Sequence, residues 1–140
     1  PLWVVGQSPH PLLERLRAHP NIVLTGWVEA VEPFLAGADV VVVPLRMGSG
    51  TRLKVLQALS MARPIVGTRI GCAGLNVEDG RQLRLADDAP AFAAAIDEVL
   101  AGPAQAAAMA ARGRAHVRAH FDWRILVPRL EASYRALVPR

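Results

Sequence analysis

From Asp39 to Thr68 the chain reads D-V-V-V-V-P-L-R-M-G-S-G-T-R-L-K-V-L-Q-A-L-S-M-A-R-P-I-V-G-T, and few folds accept that order. The four valines between Asp39 and Pro44 lack polar alternation, which predicts a strand buried on both faces. A Gly48-Ser49-Gly50-Thr51 turn follows. Thr51 to Ala62 has helical composition, with Leu53, Leu56 and Leu59 or Ser60 marking a period near 3.6, and Arg63-Pro64 stops it before a second apolar run over Pro64 to Val66. Strand, glycine-rich turn, helix and strand in succession define one step of a parallel α/β sheet. In such a sheet the turn lies at the carboxyl edge, where the helix's unpaired N–H groups face whatever binds there.

The remainder of the chain continues this plan. Leu2 to Gly6 reads as a strand, Ser8 to Pro11 as capping and first-turn residues, and Leu12, Leu13 and Leu16 as a short helix reaching about Ala18. Ile22 to Gly26 is a second strand, and Ala30 to Ala36 a short helix whose Gly37 suits a left-handed C-terminal position. Beyond Thr68 comes a loop rich in small residues, Arg69 to Leu75, then a Glu78-Asp79-Gly80 turn and a short edge strand, Gln82 to Leu85. The chain then turns helical. Asp87 to Pro90 starts a helix with the apolar stripe Phe92, Ala95, Ile96, Val99 and Leu100, ended by Gly102-Pro103. Gln105 to about Ala119 is a second helix, and Asp122 caps a third in which Pro128 predicts a kink or a late start.

The 140 residues suffice for one domain, and an apolar content of 52% excludes a disordered chain. No apolar run reaches the length of a membrane span and no signal pattern opens the chain, so the cytoplasm is the expected location. Cys72 is the sole cysteine, which leaves no intrachain disulfide and no cysteine-based metal cluster. His116 and His120 share a helical face, but H-E-x-x-H and a nearby acidic third ligand are both missing. The formal charge of +4 suits an anionic partner or simply a solvated, arginine-rich surface. Arg112, Arg114, Arg118 and Arg124 lie among alanines without interleaved aromatics, which argues against nucleic acid.

The Gly48 to Thr51 turn can present backbone N–H groups, two hydroxyls and a helix dipole to a phosphate or diphosphate. With a helix beginning at Gly50, Lys54 and Gln57 share one face with it, while Leu53, Leu56 and Ser60 share another. Thr51 to Gln57 would rise roughly 9 Å, comparable with the distance from a nucleotide's diphosphate to its ribose, so Gln57 could reach a ribose hydroxyl. Spacing alone leaves open a glycine turn with a solvated lysine and a surface glutamine, because the pattern is neither a P-loop nor G-x-G-x-x-G.

The succession G-W-V at Gly26 to Val28, the Ala38 to Thr68 stretch, I-G-C-A-G-L at Ile70 to Leu75 and V-E-D-G at Val77 to Gly80 resembles the C-terminal half of a GT-B glycosyltransferase of family 4, the group 1 glycosyltransferases. The resemblance extends over essentially the whole chain and is most specific over Ala38 to Leu75. It implies a Rossmann-like three-layer α/β/α fold with a parallel sheet of about five strands that lacks its first strand. The 140 residues would then be a single donor-binding domain, with the helices from residue 103 onward packing on the domain or crossing back from it. The implied partners are a nucleotide-diphosphate sugar as substrate and an N-terminal acceptor domain of the same protein; no metal or other cofactor is implied. Gly48, Ser49, Gly50 and Thr51 would lie by the diphosphate and sugar with Lys54 on the same helix, Trp27 and Val28 would border the base, and Gly71 would face the interdomain cleft.

Two features depart from the family pattern. Gln57 stands where a ribose-binding glutamate is common, and Ser49 where the first acidic residue of that pair falls. The strand with the phosphate-clamping arginine and lysine is expected upstream of Leu2. The resemblance, with these departures, implies the donor half of a retaining glycosyltransferase acting on a glycan or lipid-linked saccharide, inactive alone, with peripheral association at the inner membrane face as a second location. A half of a sugar-nucleotide epimerase, or a non-catalytic nucleotide-binding module with Gln57 marking a decayed site, are the alternatives. No residue is nominated as nucleophile or general base; Glu78 and Asp79, the nearest acids, read as a turn.

Overall fold

The computed structural model describes residues 1–7 and 10–137. They form two compact units, Pro1–Gly37 and Ala38–Arg140. In the first unit, strand β1 (Leu2–Val5) pairs in parallel with β2 (Ile22–Gly26), Leu2 opposite Ile22 and Val4 opposite Leu24. Leu24 is buried in this sheet. The intervening helix is shorter than its leucines predict: α1 (Pro11–Glu14) gives way to a 3-10 turn over Arg15–Ala18. The expected capping residues Ser8 and Pro9 lie outside the described residues. His10 takes the capping position, its Nδ1 accepting from the Leu12 N–H at 3.2 Å, with Pro11 opening the first turn, where its missing N–H costs nothing. Helix α2 (Glu32–Gly37) starts two residues later than expected and includes Gly37, which therefore does not serve as a left-handed terminator. Its Phe34 ring packs against Trp3, with centroids 5.8 Å apart.

The second unit holds a three-stranded parallel sheet ordered β3 (Val41–Val43), β4 (Ile65–Gly67), β5 (Arg84–Leu85). As the central strand, β4 is buried along its whole length, whereas the β3 valines are only half-buried. The unbroken apolar run thus marks an outer strand of this sheet, and burial on both faces belongs to its neighbour. Only Arg84 and Leu85 of the expected Gln82 to Leu85 strand pair with β4; Gln82 is buried instead, its Oε1 accepting from the Glu78 N–H at 2.9 Å.

Helix α3 (Leu53–Ser60) follows β3 and buries Val55, Ala58 and Leu59. Of the face expected from leucine spacing, Leu53, Leu56 and Leu59 or Ser60, only Leu59 is buried; Leu53 is 68% exposed and Val55 and Ala58 point inward instead. Three helices complete the unit: α4 (Ala89–Ala101), α5 (Pro103–His120) and α6 (Trp123–Leu137). Asp88 caps α4 by accepting from the Ala91 N–H at 2.8 Å, the chemistry its position predicts. Val66, Ala86, Ala95, Val99, Ala106 and Met109 form an apolar core. Small residues let the helices come close. A Cβ built on Gly113 of α5 would lie 2.6 Å from Leu59 Cδ2 and 3.0 Å from the Gln82 carbonyl oxygen, so only glycine permits this crossing. Asp122 accepts from the Arg124 N–H at 2.9 Å and starts α6, which runs from Trp123 through Pro128 without a late start. Among the described residues, no helix is long and apolar enough to cross a membrane.

Candidate functional site

Because β3 and β4 run parallel with Val43 opposite Gly67, the segments leaving their carboxyl ends emerge side by side. The first carries Gly48 to Thr51 and the second carries Arg69 to Leu75. Gly48 and Gly50 have φ of +134° and +85°, backbone conformations that a side chain resists, which explains why this turn needs both glycines. All of Gly48 to Thr51 is exposed, as is Lys54 on the first turn of α3, while Gln57 one turn further is half-buried. The helix begins at Leu53 with Arg52 in the capping position, two residues later than the expected start at Thr51 and three after Gly50.

Two residues that sequence spacing passes over hold these segments together. Thr68, buried just beyond β4, donates from Oγ1 to the Leu45 carbonyl at 2.5 Å and accepts at the same oxygen from the Gly71 N–H at 2.9 Å. One hydroxyl thus links the segment after β3 to the loop after β4. Arg52 supplies the second link, with Nη2 donating to the carbonyls of Gly48 at 3.0 Å and Ile70 at 2.8 Å, and Nη1 to that of Ser49 at 3.2 Å. The signal for Arg52 was its place directly after the glycine turn; its long-range partner Ile70 is invisible in a linear reading. Gly71 fits where it does because a Cβ there would stand 2.8 Å from the Val43 carbonyl oxygen and 2.9 Å from Thr68 Oγ1.

The loop is anchored at its other end as well. His116 of α5 bonds the Leu75 carbonyl through Nε2 at 2.8 Å, and its ring stacks on that of His120 with centroids 4.4 Å apart. Arg69 donates its backbone N–H to Asp87 at 2.8 Å and pairs with the same carboxylate; these bonds hold the Asp87 carboxyl below its ordinary pKa, the backbone bond foremost. Burial pushes the Cys72 thiol up to about 11, against the pull of the nearby Arg52 charge, so a thiolate is disfavoured at neutral pH. Glu78 and Asp79 behave as the expected turn: Glu78 pairs with Arg81 at 2.8 Å, and Asp79 accepts from Arg84 at 3.1 Å and from the Leu85 N–H at 2.8 Å. No group of three or more metal-ligating side chains occurs among the described residues. Arg112, one of the four arginines noted in the sequence, donates to the Arg81 carbonyl at 2.7 Å and so braces that turn.

Of the sequence-derived site residues, the second unit brings Gly48, Ser49, Gly50, Thr51, Lys54, Gln57 and Gly71 to one sheet edge and its following helix. Trp27 and Val28 belong to the first unit, directly after the β2 residue Gly26, whose φ is +71°. Trp27 is exposed and Val28 half-buried.

The mixed α/β chain with parallel strand pairing has the fold of GT-B glycosyltransferases. Residues 1–102 match the profile of the family described as Glycosyl transferases group 1, and the chain belongs to that family. It is 40% identical over 111 residues to the trehalose synthase of Rubrobacter xylanophilus, an alignment covering 79% of this chain and 25% of that protein. Among solved structures, sucrose-phosphate synthase from Thermosynechococcus elongatus superposes with a TM-score of 0.82 at 25% identity, covering 97% of this chain and 38% of that one. The Anabaena protein HepE in complex with UDP gives a TM-score of 0.82 at 17% identity, covering 96% and 40%. The chain therefore spans about a quarter of the trehalose synthase and about two-fifths of these structures.

Proposed function

We propose that this chain is the donor-binding part of a retaining glycosyltransferase that moves a sugar from a nucleotide-diphosphate sugar to a glycan or lipid-linked saccharide. The observation that carries the reading is the Gly48 to Thr51 turn, held against the Ile70–Gly71 loop at the carboxyl edge and opening directly into α3. A diphosphate placed there meets backbone N–H groups, the Ser49 and Thr51 hydroxyls and the positive end of the helix. Lys54 stands one turn along and adds a mobile positive charge. In this reading the leaving diphosphate is stabilised by fixed dipoles and basic side chains, and the enzyme works by positioning and electrostatics. Gln57 lies farther along the same helix and would hydrogen-bond the ribose; a carboxylate there would add a charge-assisted bond. The UDP complexes of HepE support a nucleoside diphosphate as the ligand class. The retaining course and the acceptor class rest on the resemblance of Ala38 to Leu75 to the group 1 pattern.

Titration of the ¹⁵N-labelled chain with UDP, GDP and ADP tests the assignment. The expected result is that one of the three shifts the Gly48 to Thr51 amides, and that Gln57→Glu tightens that binding by about tenfold, the effect of one charge-assisted bond. An affinity unchanged by Gln57→Glu would remove Gln57 from the site. Shifts absent for all three nucleotides at millimolar concentration would favour a non-catalytic interaction module.

A further inference from the structure

Helix N-caps are usually residues whose side chains accept a hydrogen bond, and arginine has no acceptor. Arg52 occupies that position in α3 and makes no side-chain cap bond. Its guanidinium turns back over the preceding residues and donates to three carbonyls, those of Gly48, Ser49 and Ile70. The peptide bonds here are trans, so the N–H of a peptide points opposite to its C=O. By holding the Gly48 and Ser49 carbonyls, Arg52 directs the N–H groups of Ser49 and Gly50 away from itself. Successive N–H groups aimed to one side of a turn make a concavity for an anion. The cation behind them is held by carbonyls, which do not cancel its charge. Its Nε is buried without a hydrogen-bond partner, a cost that a side chain serving only to fill space would avoid.

We propose that Arg52 is a positioning residue for the donor. Its guanidinium fixes the glycine turn so that the Ser49 and Gly50 amides receive the diphosphate, and couples that turn to the Ile70–Gly71 loop, so that the two segments hold one geometry. The inference rests on the donor reading of the turn. Geometry is the essential contribution: a lysine would keep the charge but has no planar fork to span three carbonyls.

The test compares the wild-type chain with Arg52→Lys and Arg52→Met, using UDP as the probe and following the amide resonances and order parameters of residues 48–51 and 70–71. Melting curves keep folding in view, and Arg52→Lys carries the comparison if Arg52→Met does not fold. The expected outcome is that UDP shifts the Ser49 and Gly50 amides in the wild type. Both variants should loosen the two segments and weaken UDP by about tenfold or more, with the melting temperature little changed. Equal UDP affinity and equal Ser49 and Gly50 shifts in Arg52→Lys would overturn the positioning role while leaving the donor site standing. Wild-type shifts confined to residues away from the turn, or none, would overturn the donor reading and the positioning role with it.

Discussion

The two ends of α3 solve opposite problems. At its N-terminus an exposed turn with two positive-φ glycines leads into the helix, and the capping residue spends its side chain on carbonyls of the turn instead of on the helix. At its C-terminus the chain closes tightly: the Ala62 N–H donates to the Leu59 carbonyl at 2.9 Å and the Arg63 N–H to that of Ala58 at 3.0 Å, the Schellman pattern that satisfies the last carbonyls of a helix. One end is shaped by polar contacts that set the direction of backbone groups, the other by packing and closure. Substitutions near the first end should therefore disturb local geometry, and those near the second should register as stability.

The sharpest way to break this division is at Thr68, because its hydroxyl belongs to the polar end yet is buried. Thr68→Val keeps the shape but strands the Gly71 N–H and removes the bond to Leu45. One buried N–H and one part-buried carbonyl losing a partner should cost about 2 kcal/mol in urea unfolding, and Thr68→Ser, which keeps the hydroxyl, should recover most of it. A Thr68→Val cost below about 1 kcal/mol would mean that packing, not this hydroxyl, holds the loops.

The packed end is probed at Gly113. An alanine there must push against Leu59 and against the Gln82 carbonyl, and backbone yields less readily than the tip of a leucine. Overpacking costs about 1–3 kcal/mol, and the better helix propensity of alanine returns about 1, so a net loss of roughly 1 kcal/mol, and at most about 2, is expected. Denaturant unfolding with an unchanged slope would show that the change lies in stability itself. A neutral result would mean that α5 can slide away from α3 at no cost.

The sequence made the order of elements readable wherever the signal was local. The valine run, the glycine turn and Arg63-Pro64 placed β3, α3 and β4 to within a residue or two, and Asp88 and Asp122 marked helix starts that the structure retains. What stayed hidden depended on neighbours distant in the chain. Leucine spacing offered Leu53 and Leu56 along with Leu59, but the face of α3 is decided by the approach of α5 at Gly113, which keeps Leu59 and adds Val55 and Ala58. Gly37 matched the composition of a helix stop, yet a glycine can also sit inside a helix, and composition does not distinguish the two. Arg52 and Thr68 drew no reading from the sequence because their roles require Ile70 and Leu45, brought near only by the parallel pairing of β3 with β4.

The smallest effect should come from relieving the strain at the closed end. Ala62 sits at φ +52°, the left-handed position where a Cβ crowds the backbone and where glycine is the usual occupant. It is half-buried, and its N–H and that of Arg63 already make the closing bonds, so replacing the methyl with hydrogen removes a penalty without removing a contact that defines the turn. The left-handed conformation costs an L-residue about 1–2 kcal/mol, and glycine's extra freedom in the unfolded chain takes back part of the gain. Ala62→Gly should therefore raise unfolding stability by about 0.5–1 kcal/mol, the reverse of what glycine does inside a helix. UDP response at the turn should not move, since only the closed end of α3 is altered. A destabilised Ala62→Gly would show that the Ala62 methyl packs better than it strains, and that the C-terminal end, like the N-terminal one, is held by its side chains.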